Sequence, residues 1–282
     1  MERLYEIRKR LHKIPEIAYK EFKTQELIME IFNGEALLKL IRFEPTGLLY
    51  EYTQGEGEYL LFRADMDALP LTENTGCDYM SEHKGYFHAC GHDIHLTALI
   101  GLMLHVLESR LAKNILFLFQ PAEEGHGGAK HIIDTGIFDN YKIKAAFALH
   151  VTGQYPTGSI GIKSGIMLGI PQEFNVEIYG KSGHVATPQK GLDAFIAGMA
   201  FYQTVQSQIA KMFPVQEPII FHIGKVSAGQ VRNIIPNYCL FEGTFRCLKK
   251  EIKEKVLLLM NDVAESLKLS HKQKHLLFNL LL

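Results

Sequence analysis

Residues 114–125 read NILFLFQPAEEG, an uninterrupted apolar run that ends in two consecutive carboxylates, Glu123 and Glu124. An apolar run without polar alternation is typical of a strand in a sheet that is covered on both faces. In open α/β sheets the ligand sites lie at the carboxyl ends of the strands. The stretch therefore predicts an α/β fold with the two glutamates at a functional edge of the sheet.

Two other strands are predicted to end at the same edge. The strand at Tyr59–Phe62 runs directly into Asp65 and Asp67, and the stretch AAFALH, interpreted as another buried strand, ends on His150. Carboxylates and an imidazole thus follow three separate strands. Because functional groups in α/β sheets collect at the strand ends, we expect these side chains to form one site.

Helical patterns surround these strands. Apolar residues at helical spacing occur between Leu4 and Leu11, between Leu27 and Phe32, and between Leu96 and Leu107. Each of these stretches predicts a helix. The first part of the chain is therefore expected to be an α/β domain with a mixed, mostly parallel sheet and helices on both faces.

The second part of the chain has a different character. From residues 165 to 172 onward, polar and apolar residues begin to alternate, as in EFNVEIYG, so the domains are placed at residues 1–170 and 171–282. A strand-helix-strand-strand-helix order is typical of a small α+β domain of ferredoxin-like type, with an antiparallel sheet and helices on one side. The predicted elements are Phe174–Tyr179, Ala194–Lys211, Ile219–Val226, Tyr238–Arg246 and Lys249–Leu267.

The composition limits the classes of partner. The 282 residues carry a formal net charge of -1, which gives no electrostatic reason to expect binding to nucleic acid or to an anionic membrane. Residues 1–16 lack the apolar core of a signal peptide, and no stretch is long enough to span a bilayer. The four cysteines are too few for a disulfide scaffold and favour the reducing cytoplasm. We expect small molecules, or copies of the chain itself, as partners.

The loop FHACGHDIH, residues 87–95, holds five side chains that can bind a metal: His88, Cys90, His92, Asp93 and His95. A thiolate, imidazoles and carboxylates together suit a borderline-soft divalent cation such as zinc, cobalt or manganese better than magnesium or calcium. Cys90 and His92 are two residues apart, so in a loop both can face one ion. Asp93 and His95 are expected to orient the loop and cap the helix that follows, and His88 is assigned no role.

The tandem glutamates offer two different functions. Adjacent carboxylates point in different directions, so one of Glu123 and Glu124 can bind a metal while the other takes a proton from water. His150 can complete the coordination. A cysteine nucleophile is the competing interpretation of Cys90 and His92. The nearby carboxylates would raise the pKa of the Cys90 thiol unless a metal offset them, so metal ligation explains more of the loop.

The other histidines lack such neighbours in the sequence. His184 follows a predicted strand in YGKSGHVATP, where a tight turn either presents the imidazole to a ligand or holds a surface histidine; the spacing leaves both open. For five further histidines a packing or surface role is the better interpretation. They are His12, His83, His126, His131 and His222.

Seven motifs, taken in chain order, resemble the M20 metallopeptidase family and in particular its amidohydrolase branch. They are HKIPEIAYKEFKTQ, RADMDALP, HACGHDIH, FQPAEEG, ALHV, GKSGH and NIIP. The resemblance extends from the N-terminus to about residue 268, and the series is far more specific than any one motif. Within the branch, EFKTQ, LFLFQPAEEG and the motif spacing are most similar to enzymes that deacetylate N-acetyl-diaminopimelate.

The resemblance implies a catalytic α/β domain and an inserted lid domain, of ferredoxin-like type, through which a homodimer forms. It also implies a centre of two divalent ions, zinc, manganese or cobalt, with the Cys90 thiolate as a candidate bridge between them. The residues that match the family's metal ligands are Cys90, His92, Glu124 and His150.

Other residues match supporting positions of the family. Glu123 matches the general base, although the tandem pair leaves open which carboxylate has which role. Asp65 and Asp67 match an acidic pair that supports the metal site, where such a carboxylate orients a ligand imidazole. His184 and Asn233 match lid positions that hold polar groups of the substrate across the dimer interface.

The implied reaction is hydrolysis of the acetamide of N-acetyl-L,L-diaminopimelate, releasing acetate in lysine biosynthesis. Hydrolysis of hippurate and other N-acyl-L-amino acids is the alternative. The ending HLLFNLLL departs from the family, which continues into further strands and a last histidine ligand. It resembles the readthrough of a frameshift or a truncated gene model, and an exposed apolar C-terminal tail is the other interpretation. An inactive truncated fragment that acts only as a dimerising module is therefore the alternative of another class.

Overall fold

The computed structural model describes residues 2–270 and 277–281 of the chain. Residue contacts divide the chain into two compact units, Met1–Gly158 and Ser159–Leu282. The division comes earlier than the boundary at residue 170 that the sequence pattern suggested, because residues 159–169 group with the second unit. The assignment of the units as a catalytic domain and a lid stays a prediction.

The first unit alternates helices and strands. A 3₁₀ helix, Ile137–Asn140, precedes its last strand. The other elements are α1 (Glu2–Lys13), α2 (Phe22–Ile31), β1 (Leu38–Arg42), β2 (Leu48–Thr53), β3 (Tyr59–Asp65), α3 (His92–Ser109), β4 (Asn114–Gln120), α4 (Gly128–Asp134) and β5 (Ile143–Ala148).

These strands form one mixed sheet in the order β1-β2-β4-β3-β5. Strand β3 runs parallel to both of its neighbours, β4 and β5, whereas β1 and β2 are antiparallel additions. The predicted α/β class with a mixed sheet is confirmed. Because β3, β4 and β5 are parallel, their carboxyl ends lie at one edge of the sheet.

Strand β4 is buried along its whole length, as its continuous apolar sequence predicted. Ile115, Phe117 and Phe119 pack on one face with α1, α2 and α3, whereas Leu116 and Leu118 pack on the other face with Ile132 of α4. Burying one such side chain contributes about 1.5–3 kcal/mol relative to leaving it exposed. The need for apolar contact on both faces explains why β4 shows no alternation.

Strand β5 differs from the sequence interpretation. The stretch AAFALH was expected to be buried, but β5 pairs with β3 alone within the described part of the chain, and Phe147 is 48% exposed. An edge strand has one neighbour instead of two, so apolar sequence alone did not reveal its exposure. Strand β1 was not predicted, and β2 and β3, although consecutive, are separated in the sheet by β4.

The second unit has the predicted α+β order with one further strand. Its sheet order is β7-β8-β6-β9, and all three pairings are antiparallel. Side chains of β6 and β8 pack with both helices in one core, so the helices cover one face of the sheet. The elements are β6 (Ile170–Tyr179), α5 (Ala194–Met212), β7 (Ile220–Ala228), β8 (Tyr238–Cys247), α6 (Lys250–Ser270) and β9 (Leu277–Leu281).

Strand β9 corrects the interpretation of the ending HLLFNLLL as an exposed apolar tail. Leu277–Leu281 pairs antiparallel with Asn175–Tyr179 of β6 and becomes the outer strand next to it. The strand completes a β-α-β-β-α-β order, which is that of the ferredoxin-like fold. Five residues, four apolar and one Asn279, are too few for their periodicity to distinguish a strand from a tail.

Candidate metal centre

Cys90 and His150 meet where the loop before α3 approaches the end of β5. The Cys90 sulfur lies 3.4 Å from His150 Nε2. Gly91 allows this approach, because it has a left-handed φ of +84° and a Cβ there would lie 2.5 Å from Val151 Cγ2. The side chain of His150 donates its Nδ1–H to the carbonyl of Val151, 2.7 Å away, which leaves the Nε2 lone pair directed at Cys90.

His92 is the first residue of α3 and is 1% exposed. Its Nδ1–H donates to the backbone carbonyl of Asp67 at 2.7 Å, so Nε2 keeps a free lone pair. Metal-binding histidines are commonly held in this tautomer by a carbonyl or a carboxylate. His92 and His150 therefore present the same nitrogen in the same chemical state.

The glutamates lie opposite His92, after the end of β4. Glu123 Oε2 is 3.9 Å and Glu124 Oε1 is 3.8 Å from His92 Nε2. The turn between β4 and the glutamates places Ala122 at a left-handed φ of +54°. The backbone N–H of Glu124 donates to Asp67 Oδ2 at 2.9 Å, which fixes the pair relative to the end of β3.

His92 belongs to three groups of donor atoms, one of which it forms with Asp65 and His95. The ligand atoms of Cys90, His92 and His150 all lie within 4.8 Å of one another, and so do those of His92, Glu123 and Glu124. The structure thus brings together the five sequence-predicted residues of the centre. Asp65 Oδ2 lies 3.7 Å from His92 Nε2, and Asp67 Oδ1 lies 3.5 Å from His92 Nδ1.

Asp65 is anchored on both of its oxygens. His95 Nδ1–H donates to Oδ1 at 2.7 Å and Arg63 donates to Oδ2 at 2.8 Å. Burial alone would raise the pKa of Asp65, but the His95 hydrogen bond and the charge of Arg63 lower it well below its usual value. Asp65 is therefore an ionised, immobilised carboxylate beside His92.

His95 links two strand ends through one ring. Besides donating to Asp65, it accepts the backbone N–H of Val151 on Nε2 at 3.0 Å, and it is 1% exposed. Val151 follows His150, so His95 fixes the position of β5's terminal histidine relative to β3. The sequence pattern predicted only that His95 would orient the loop and cap α3, because the contact with Val151 spans 56 residues and leaves no local pattern.

The electrostatics of the centre favour a cation. Burial raises the pKa of the Cys90 thiol to about 12, and the charges of Glu124, Glu123 and Asp65 act in the same direction. Burial and the neighbouring Glu124 raise the pKa of Glu123. A thiol in such surroundings is a poor nucleophile without a cation to stabilise the thiolate, which argues against a cysteine-nucleophile mechanism.

Three buried polar atoms of the centre have no hydrogen-bond partner within the described part of the chain: Asp67 Oδ1, His92 Nε2 and Glu124 Oε1. Leaving such atoms unsatisfied costs roughly 1–3 kcal/mol each. The separation of 3.8 Å between His92 Nε2 and Glu124 Oε1 is close to the distance between two ligand atoms on one metal ion. The residues present therefore fit a divalent cation.

His184 and Asn233 lie in the second unit, so their predicted role toward the substrate stays a prediction. The Val185 N–H donates to the carbonyl of Asn233 at 3.2 Å, and His184 forms an isolated antiparallel β-bridge with Ile234. His184 Nδ1 accepts the N–H of Ala186 at 3.1 Å, which holds the ring of the histidine in a turn. The two predicted substrate-binding residues are thus held near each other by backbone pairing.

Two buried carboxylates hold the centre's loops through contacts that the sequence pattern did not predict. Glu21 is fully buried and accepts the N–H of Ala122 at 2.9 Å and the hydroxyl of Thr46 at 2.5 Å, so it anchors the turn before the glutamates. Asp93 was expected to cap α3, but its carboxylate accepts from His12 and Arg8 of α1 instead. Neither contact has a signal in local periodicity.

A mixed sheet whose parallel strands end at carboxylate and histidine donors, completed by a cysteine and a histidine where α3 begins, defines a class, that of the metal-dependent α/β hydrolases. The sequence model described as Peptidase family M20/M25/M40 matches residues 61–246. The chain belongs to this family and is one of its hydrolases. The resemblance stated from the seven motifs is confirmed.

Named relatives support the same assignment. N-acetyldiaminopimelate deacetylase of Exiguobacterium sibiricum is 36% identical over 273 residues, covering 96% of this chain and 74% of the relative. The protein of the same name from a Geobacillus species is 35% identical over 263 residues, covering 91% of this chain and 70% of the relative.

A solved structure shows the same fold. A Bacillus subtilis protein, described as a dinuclear metal-binding peptidase of the M20 family, superposes with a TM-score of 0.79 and 29% identity, covering 99% of this chain and 73% of that one. This similarity supports a divalent metal at the site. In residues 2–270 and 277–281, no helix is long and apolar enough to cross a membrane.

Proposed function

We propose that this chain removes the acetyl group from N-acetyl-L,L-diaminopimelate at a centre formed by Cys90, His92, Glu124 and His150. The observation that carries the proposal is the pair of unpartnered atoms, His92 Nε2 and Glu124 Oε1, 3.8 Å apart beside the Cys90–His150 contact. Sulfur, nitrogen and oxygen donors together suit zinc, manganese or cobalt. The proposed complement is two divalent ions, which these four residues would hold.

Divalent cations bound here would polarise the amide carbonyl and make water more acidic. Every ligand must then present a lone pair. His92 and His150 already do so, because each donates its Nδ1–H to a backbone carbonyl. Cys90 has a pKa of about 12 and gives up its proton only when a cation is bound.

Glu123 is proposed as the general base. Its side chain is 41% exposed, whereas the side chain of Glu124 is 25% exposed. The raised pKa of Glu123 makes its carboxylate a stronger proton acceptor. Glu123 takes a proton from water as the oxygen attacks the carbonyl carbon. It then donates that proton to the nitrogen as the C–N bond breaks, giving acetate and a free amine.

Asp65, Asp67 and His95 are proposed as positioning residues. Asp67 holds His92 through its carbonyl and Glu124 through its carboxylate, so one residue sets the distance between two ligands. Asp65 and His95 connect the ends of β3 and β5. These partners keep the ligand side chains in one geometry, which a metal site requires.

The names of the relatives support the choice of substrate. The second unit is proposed as the lid and dimerisation domain, with His184 and Asn233 holding polar groups of the substrate. The broader proposal places a homodimer in the cytoplasm, in lysine and diaminopimelate synthesis. The carboxylate-rich centre does not by itself select the acyl group. Hydrolysis of hippurate or other N-acyl-L-amino acids is therefore the second candidate function, and the experiment compares it with deacetylation.

The experiment measures acetate or benzoate release from N-acetyl-L,L-diaminopimelate and from hippurate by purified chain loaded with manganese, cobalt or zinc. We expect kcat/KM to be higher for the acetylated diaminopimelate. Faster cleavage of hippurate would assign the chain to the broader hydrolases. A chain that binds metal but releases neither product would be an inactive module.

A further inference from the structure

A second group of metal-capable side chains lies outside the centre described above. His12, at the end of α1, meets Glu73 and Cys77 of the loop after β3, and the ligand atoms of the three lie within 4.8 Å of one another. His12 is 4% and Glu73 is 7% exposed, while Cys77 is partly exposed. The group shares no residue with the proposed ligands Cys90, His92, Glu124 and His150.

The separations suit one tetrahedral ion. His12 Nε2 lies 3.1 Å from Glu73 Oε1, and Cys77 Sγ lies 3.7 Å from the same oxygen. Zinc bonds of about 2.0–2.1 Å to nitrogen and oxygen and about 2.3 Å to sulfur place such ligand pairs roughly 3.3 and 3.6 Å apart. Small movements of the side chains would therefore accommodate a cation.

His12 is oriented as a ligand histidine would be. Its Nδ1 faces Asp93 Oδ2 at 2.8 Å, and Arg8 also donates to that carboxylate oxygen at 3.1 Å. A carboxylate behind the ring fixes the tautomer with hydrogen on Nδ1 and increases the basicity of Nε2. Glu73 is fixed as well, because its Oε2 accepts the N–H of Ser81 at 2.6 Å.

A cavity of about 590 Å³ adjoins the three side chains, and it is also lined by His88 and, on its other side, by Cys90 and His150 of the centre described above. His88 is 4% exposed, and neither of its ring nitrogens has a hydrogen-bond partner among the residues that the structure describes. A polar occupant of the cavity would satisfy the ring of His88, because buried polar atoms in proteins are normally hydrogen-bonded. This observation is independent of the distances within the cluster.

We propose that His12, Glu73 and Cys77 form an accessory site for a borderline-soft divalent cation such as zinc, with the remaining coordination position facing the cavity. Binding displaces the hydrogens that His12 Nε2 and Cys77 Sγ otherwise direct at Glu73, and both protons pass to solvent. His12 keeps its Nδ1–H, donated to Asp93. The ion connects α1 to the loop at residues 73–77 and thereby stabilises both.

The test uses cobalt(II) chloride as the probe, because a cobalt–thiolate bond gives a charge-transfer absorption band. The metal-free full chain is titrated as wild type and as three variants: Cys90→Ser, Cys90→Ser with Cys77→Ser, and Cys90→Ser with Cys247→Ser. The last is a matched control, since Cys247 lies in the second unit and its thiol contacts only the carbonyl of Lys249 among the described hydrogen bonds. Circular dichroism checks that each variant is folded.

We expect Cys90→Ser to keep a cobalt–thiolate band of about one thiolate per chain. Adding Cys77→Ser should remove the band, and adding Cys247→Ser should leave it. Cobalt should also raise the melting temperature of Cys90→Ser but not that of the variant that lacks Cys77.

Loss of the whole band in Cys90→Ser, or its survival without Cys77, would overturn the accessory site. If the double serine variant does not fold, Cys77→Ala in the wild-type background replaces it. That variant must then bind one cobalt ion fewer per chain than wild type. Because no substrate is used, the result is independent of the proposed deacetylase function.

Discussion

His95→Ala is the substitution that best separates positioning from ligation. His95 is buried and makes two hydrogen bonds, to Asp65 Oδ1 at 2.7 Å and from the Val151 N–H at 3.0 Å. Its removal leaves a buried carboxylate oxygen of Asp65 and the partly buried N–H of Val151 without these partners. Each unsatisfied group costs about 1–3 kcal/mol, so the free energy of unfolding should fall by roughly 2–6 kcal/mol.

The same substitution should weaken metal binding, although His95 is not a proposed ligand. Without the link between Asp65 and Val151, the end of β5 no longer holds His150 beside Cys90. Loss of such supporting partners typically reduces metal affinity about 10–100-fold. Urea unfolding of the metal-free chain gives the stability, and cobalt titration gives the affinity.

His105→Ala is the matched control, because His105 is exposed on the same helix. We expect it to change the free energy of unfolding by no more than about 0.5 kcal/mol and to leave metal affinity unchanged. The reasoning is refuted if His95→Ala unfolds at the same urea concentration as His105→Ala. It is also refuted if the variant binds cobalt as tightly as wild type.

Three further predictions follow from contacts around the centre. The Cys90 thiol has a pKa of about 12 and loses its proton on ligation, so the apparent affinity for the first cobalt ion should rise about tenfold per pH unit between roughly pH 6 and 8. An affinity independent of pH would argue against thiolate ligation. The lowered pKa of Asp65 stabilises the fold above the unfolded pKa of about 3.8, and this stability is lost as pH falls through the lower folded pKa. The loss of stability with acid below about pH 4 should therefore be less steep in Asp65→Asn than in wild type. Identical acid-unfolding profiles of the two proteins would contradict this. Glu21→Ala leaves the buried Ala122 N–H without its partner and should lower the free energy of unfolding in urea by about 1–3 kcal/mol, whereas Glu56→Ala, at an exposed position, should lower it by almost nothing. Equal unfolding midpoints of the two variants would reject the anchoring role of Glu21.

Local sequence patterns were sufficient for the elements that bury one or two faces. The continuous apolar run of β4 and the alternation of β6 reflect their burial directly, and both strands lie where these patterns indicated. The same patterns could not reveal which strands lie next to each other in a sheet. Strand β5 has an apolar sequence but lies at the sheet edge, and β9 is a strand because it pairs with β6, about 100 residues away in the chain.

The candidate ligands could be predicted because each belongs to a short motif or follows a predicted strand. The residues that hold them could not, because their contacts join distant parts of the chain. Glu21 reaches Ala122 across 101 residues, and His12 reaches Asp93 across 81. His12 was interpreted from sequence as an isolated packing or surface histidine, whereas the structure places it between two buried carboxylates.

The central claim is that donors at the strand ends form a metal centre in which Glu123 acts as the base and not as an essential ligand. Metal content and acetate release of Glu123→Gln, measured side by side with wild type, test it most directly. The account predicts wild-type metal content and a turnover reduced about 10²–10⁴-fold, since the carboxamide cannot accept the proton. Wild-type turnover, or a variant that has lost its metal, would contradict it.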